Sequence, residues 1–198
     1  SSTTDMTALV LDFPDDGQRI VPFFWIPEET AAMLERKYAV PFSVWKRAGL
    51  IEHTPGNTID YDAVRQRILW VRDTFDLRMC GYDPWNARQI CINLHEQDGV
   101  PMVEVRQGYA SLNEPSKKLE ALMTSGQLRH GGHAVLRWHA SNVSVMTDPA
   151  GNIKPVKPDR NKGPARIDGI VALVEAIGCW MAHGVEVCSD SPFWSVGV

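Results

Sequence analysis

The sequence predicts an α/β protein, a mixed sheet with an antiparallel hairpin edge and helices on its faces, on three observations. Two apolar runs, Met6–Phe13 and Arg19–Ile26, flank the turn tetrad Pro14-Asp15-Asp16-Gly17, the pattern of a β-hairpin. Two further short apolar runs, Arg78–Tyr82 and Met102–Val105, are each followed by a helical segment, the order that builds strands joined by helices. The last long segment, Arg166–His183, carries apolar residues at helical spacing.

The elements between these landmarks follow in order. Pro27-Glu28-Glu29 opens a helix through Lys37, with acids in the first turn where the helix dipole favours them. Residues 39–60 are rich in turn formers and read as irregular. Asp60 or Thr58 caps a helix over Tyr61–Phe75, whose Val64, Ile68, Val71 and Phe75 form one apolar face. A helix over Pro84–Gln97 follows the strand that ends at Tyr82, and a helix over Glu114–Ser125 has Pro115 in its first turn. His133–His139 fits either a helix or a strand. Ser144–Thr147 and Asn152–Val156 flank Asp148-Pro149-Ala150-Gly151 and form a second hairpin. No internal repeat or linker divides the 198 residues, so residues 1–198 are expected to be one domain.

Composition excludes several classes. The net charge of −4 announces no global affinity for nucleic acid, so a DNA-binding surface has to be a local patch. Cys80, Cys91, Cys179 and Cys188 form no C-x-x-C pair and read as small buried hydrophobes. The longest apolar stretch, Ile170–Met181, is broken by Glu175 and is too short to span a bilayer, which argues against a membrane partner. There is no P-loop, no G-x-S-x-G elbow and no HExxH pattern. The opening SSTTDMTALVLDF runs from polar residues straight into a strand and reads as the continuation of a longer chain.

Two acids stand apart once the elements are placed. Asp83, in RMCGYDPWNARQ, lies where a strand ends and a helix begins, a position that suits both an N-cap and a ligand at the carboxyl end of a strand. Asp168, in RIDGIVALVEAIGCW, lies in the first turn of the last helix and lines up with Ala172 and Glu175 at i, i+4 and i+7. Its position suits the helix dipole as well as a site converging with Asp83. Paired carboxylates from separate elements either hold divalent cations for phosphoryl chemistry or divide acid and base roles at a glycosidic bond. The segment KPVKPDRNKGPAR concentrates Lys154, Lys157, Arg160, Lys162 and Arg166 just before the Asp168 helix, as a solvated loop or as a phosphate-binding one. The histidines read as surface or core residues, and Asn142 as a side chain that ties down backbone at a strand start.

Six segments in this order and spacing, SSTTDMTALVLDF, FFWIPEE, YDPWNA, VRQGYASLNEPSKKLEAL, LRWHASNV and ARIDGIVAL, resemble the C-terminal nuclease domain of the large terminase subunit of tailed bacteriophages. The resemblance implies an RNase H-like fold and a metal-dependent endonuclease that uses two Mg²⁺ or Mn²⁺ ions. It implies cleavage of concatemeric double-stranded DNA during capsid filling. Matched motif by motif, Asp83 and Asp168 are the catalytic metal ligands, and Asp5 is the second acid of a first-strand motif resembling D-L-S-S-T-x-D. The first acid of that motif falls just before Ser1, so the chain as given is expected to have impaired cleavage and to lack the family's N-terminal ATPase.

Lys154, Lys157, Arg160, Lys162 and Arg166 are expected to meet DNA phosphates. The resemblance further implies a portal protein, a small terminase subunit and other copies of the chain as partners, in the host cell cytoplasm and transiently on the procapsid. The alternative from the residues is a non-catalytic module that docks on DNA or a portal.

Overall fold

The structure, a computed structural model, describes residues 5–158 and 163–189, with the side chains of 85–89 and 184–189 excepted. The chain opens with β1 (Thr7–Phe13) and β2 (Arg19–Pro27), paired antiparallel from Thr7 opposite Trp25 to Phe13 opposite Arg19. The hairpin predicted around Pro14–Gly17 is therefore formed. Helix α1 (Glu28–Tyr38) follows, then α2 (Phe42–Arg47) and β3 (Glu52–Thr54), which pairs parallel to β2.

These last two elements lie within the segment expected to be irregular. The three residues of β3 are Glu, His and Thr, with no apolar alternation to mark a strand. Pairing with β2 supplies the signal instead, and the indole of Trp25 donates to Glu52 across the ladder at 3.1 Å.

Helix α3 (Tyr61–Thr74) is capped by Asp60, whose carboxylate accepts from the backbone N–H groups of Asp62 and Ala63 at 2.9 and 3.4 Å. Then come β4 (Cys80–Tyr82), α4 (Pro84–Glu96) and β5 (Met102–Glu104), with β4 and β5 parallel. Helix α5 (Tyr109–Thr124) begins five residues before the expected Glu114, so Pro115 is inside it. Leu112, Pro115, Leu119 and Leu122 are buried along one face of α5, and that packing outweighs the hydrogen bond a proline cannot donate.

Helix α6 (Ala134–Ser141) settles the ambiguous His133–His139 segment. The hairpin of β6 (Ser144–Thr147) and β7 (Ile153–Val156) turns on Asp148, whose carboxylate accepts from Ala150 N and Asn152 N, each at 2.9 Å. The last element among the described residues is α7 (Asp168–Ser189), beginning two residues after the expected start.

The β1–β2 sheet separates two cores. On one face Met6, Val10, Ile20, Phe24 and Ile26 pack with α1, α2, α5, α6 and the α7 stripe Ile170, Leu173, Val174 and Ile177. On the other, Trp25 packs with Val64 and Ile68 of α3, Leu94 of α4 and Cys80 of β4. This alternation along β2 is the period-2 pattern of a strand covered on both sides. Cys80, Cys91 and Cys179 are buried free thiols, as expected, and Cys188 lies outside the described side chains. Among the described residues no helix is long and apolar enough to cross a membrane.

Candidate active site

Helix α7 starts where it does because its first turn is clamped. Gly169 sits so close to Phe24 that a Cβ would lie 2.7 Å from the ring, and its N–H donates to Nδ1 of His139 at 2.8 Å. One turn before, Nδ2 of Asn142 donates to the carbonyl of Arg166 at 3.2 Å, a backbone tie that falls at the entry to a helix where one at a strand start was expected. Ile167 and Asp168 lie between these two anchors, and Asp168 lines a cleft.

That cleft has a volume of about 1450 Å³ and is walled by β1, by the end of β4 and by one face of α7. Asp5, Asp83 and Asp168 all line it, so the structure brings the three acids expected as metal ligands to one cavity. Lys154 and Lys157 line it too. Arg160 and Lys162 lie outside the described residues.

The acids are arranged in twos. At one end Asp5 forms an ion pair with Nε of Arg166 and lies 3.6 Å from Nζ of Lys157. Burial raises the carboxyl of Asp168 above its usual range and the negative charge of Asp5 raises it further, while Lys157 and Arg166 pull it down. Oδ2 of Asp168 is buried and accepts no hydrogen bond. Lys157 and Arg166, two of the expected phosphate contacts, are therefore turned inward on the acids, and the Arg166 side chain is 15% exposed. Lys154 faces Gln107 and Tyr109, its Nζ 4.9 Å from the Tyr109 ring centroid.

At the other end stands Glu175, aligned with Asp168 in the sequence but not counted there among the site residues. It is 8% exposed, its Oε1 has no hydrogen-bond partner, and its other contact is the side chain of Gln107. Burial, and next the charge of Asp83, push its carboxyl up to about 8. The i, i+7 spacing from Asp168 was the signal for it, masked because an acid inside an apolar run reads equally as an interruption. Asp12 of β1, hydrogen-bonded by Gln18 and pushed up to about 6 by burial, also lines the cleft and had no signal beyond its place in a strand.

Among the described residues no three His, Cys, Asp or Glu side chains gather closely enough to hold a metal ion together. The donors nevertheless suit a hard divalent cation. They are carboxylate oxygens, and two of them, on Asp168 and Glu175, are buried without the hydrogen bonds that such atoms ordinarily make.

The family model described as "Terminase large subunit, endonuclease domain" matches residues 1–184. The chain is 37% identical over 196 residues to the large terminase subunit of Enterobacteria phage HK97, covering 96% of this chain and 38% of that one. It is 30% identical over 183 residues to protein YmfN of Escherichia coli (strain K12), covering 90% of this chain and 40% of that protein. The crystal structure of the HK97 bacteriophage large terminase superposes with a TM-score of 0.78 at 36% identity, over 90% of this chain and 37% of that one. The chain thus spans less than half the length of the relatives it matches.

Proposed function

The chain belongs to the terminase large-subunit endonuclease domain family, and from that premise we propose that its acidic cleft hydrolyses phosphodiester bonds of concatemeric double-stranded DNA with two Mg²⁺ or Mn²⁺ ions. Its α/β architecture is the RNase H-like fold of its structural neighbour. The observation that carries the proposal is the pair of unpartnered, buried carboxylate oxygens, Asp168 Oδ2 and Glu175 Oε1, in a cleft that Asp83 also lines.

In this reading Asp83 and Asp168 hold the ions, with Asp5 at the edge of the site. Bound divalent cations supply an activated water and neutralise charge on the phosphate. The remaining work is done by this chain's own groups. The apolar walls of the cleft restrict water around the acids and strengthen every electrostatic contact made there. Lys157 and Arg166 offset the repulsion between Asp5 and Asp168, keeping two like charges in one place. Lys154, with Arg160 and Lys162, contacts backbone phosphates without reading bases.

The domain works as part of a longer packaging protein with an ATPase portion. Its partners are DNA, a portal, a small terminase subunit and further copies of itself, in the host cytoplasm and on the procapsid.

The test is plasmid cleavage by the full-length protein with Mn²⁺, Mg²⁺ or EDTA, beside Asp83→Ala and Asp168→Ala. Cleavage requires the metal and falls at least about a hundredfold in each variant. Cutting in EDTA, or full activity in both variants, overturns the reading.

A further inference from the structure

We propose that Glu175 is a cation-holding residue of the cleft, acting with Asp83 at a subsite two helical turns along α7 from Asp168. The proposal rests on the nuclease reading above and adds to it a ligand and a location.

Glu175 is poorly explained as a structural residue. A buried acid ordinarily spends its oxygens on N–H donors or on a cationic partner, because an unpaired one costs stability. Among the described residues Glu175 has the side chain of Gln107 on one oxygen and nothing on Oε1. Its charged neighbour is a second acid, Asp83. Two carboxylates beside a neutral amide, with no Lys, Arg or His ion-paired to Glu175 among the described residues, form an oxygen-donor set for a hard divalent ion.

The backbone arranges this pairing. Gly81 of β4 lies against α7, where a Cβ would fall 2.8 Å from Sγ of Cys179, 3.2 Å from Cγ2 of Val105 and 3.7 Å from the carbonyl oxygen of Glu175. Strand β4 therefore reaches the helix at the turn that starts from Glu175, and Asp83 follows two residues later. Asp168 is seven residues upstream on the same helix, about 10 Å along its axis, and is influenced by Asp5 instead. The acids consequently divide into Asp5 with Asp168 and Asp83 with Glu175, in keeping with the lack of any three-residue metal cluster among the described residues.

The experiment is Mn²⁺ binding by the full chain, read by electron paramagnetic resonance of the free ion, with melting temperature in EDTA measured on the same samples. Glu175→Gln, which keeps the shape and the amide contact but removes the charge, weakens one class of bound Mn²⁺ by at least about tenfold. Glu175→Asp, which keeps the charge but withdraws it by one methylene, weakens the same class. Asp83→Asn acts on that class, and combining it with Glu175→Gln adds little further loss. Both Glu175 variants melt in EDTA at or above the temperature of the parent.

Parental Mn²⁺ affinity in Glu175→Gln overturns the proposal, as does a lower melting temperature in EDTA for both variants, the mark of a structural acid. If Asp83→Asn and Asp168→Asn also bind Mn²⁺ as the parent does, the nuclease reading fails with it. If those two lose Mn²⁺ and Glu175→Gln does not, only the assignment of Glu175 fails.

Discussion

The imidazole of His139 and the backbone of Gly169 are joined by a buried hydrogen bond, Gly169 N–H to His139 Nδ1 at 2.8 Å, thirty residues apart in the chain. His139 is 0% exposed and packs edge-on to Phe24 with ring centroids 4.9 Å apart. A ring that accepts at Nδ1 is neutral and carries its proton on Nε2. Burial, helped by the nearby charges of Arg166 and Lys157, holds its pKa down to about 3. The first turn of α7, and with it Asp168, depends on that neutral ring.

His139→Ala should therefore cost about 3 kcal/mol of stability, from a lost hydrogen bond and a cavity beside Phe24. Urea unfolding with EDTA present checks the value. A change below about 1 kcal/mol would show that Gly169 is held by packing alone.

The same ring sets an acid limit. Its pKa is about 3 in the fold against an ordinary value of 6.5, so below 6.5 the unfolded chain binds a proton that the folded chain refuses. This contribution is complete above 6.5 and is lost as the pH falls toward 3. Replacing His139 with Gln should flatten that part of the stability profile.

Glu175 acts in the opposite direction. Its carboxyl is raised from 4.5 to about 8, so the folded chain keeps a proton that the unfolded chain releases. Stability from this group is complete below 4.5 and lost as the pH rises through about 8. In EDTA the parent should lose up to about 4 kcal/mol across that interval, and Glu175→Gln should lose much less. Parallel profiles for the two proteins would show that burial beside Asp83 does not hold the proton on Glu175.

The tight approach at the entry to α7 predicts a steric cost. A methyl at position 169 meets Phe24 at 2.7 and 2.9 Å and His139 at 3.1 Å, so Gly169→Ala should destabilise by about 1–3 kcal/mol. Because the clash displaces Asp168, Mn²⁺ binding at its end of the cleft should weaken too. Calorimetric melting and the Mn²⁺ titration read the two effects separately.

Lys154 and Arg166 should separate in DNA binding. Lys154→Ala should lower the slope of log affinity against log salt by roughly one, as expected for one lost phosphate contact. Arg166→Gln should leave the slope nearly unchanged but raise the carboxyl of Asp168 further, since Arg166 now lowers it and holds Asp5. Equal slope changes in the two variants would place Arg166 on the DNA after all.

Most of the element order was legible because it rests on local rules. The Pro14–Gly17 turn, the Asp60 cap and the Asp148 turn are each specified by residues within a few positions of one another. The misses have the opposite character. Strand β3 exists by virtue of β2, and the start of α5 is held by burial of Leu112 in its first turn and Pro115 in its second. For the site, Asp83 and Asp168 were visible from their places at element ends, and both line the cleft.

By itself the sequence determined the hairpins, the capped helices, the apolar stripe of α7 and the family to which the chain belongs. Tertiary structure decided which charges meet. It turned Lys157 and Arg166 inward onto Asp5, and it used the bare surface of Gly81 to bring β4, and Asp83 after it, to Glu175. Turn, cap and helical spacing act over a few residues, within reach of a reading along the chain. Pairing of charges across a cleft depends on how closely two distant backbones approach, and that distance is set by packing.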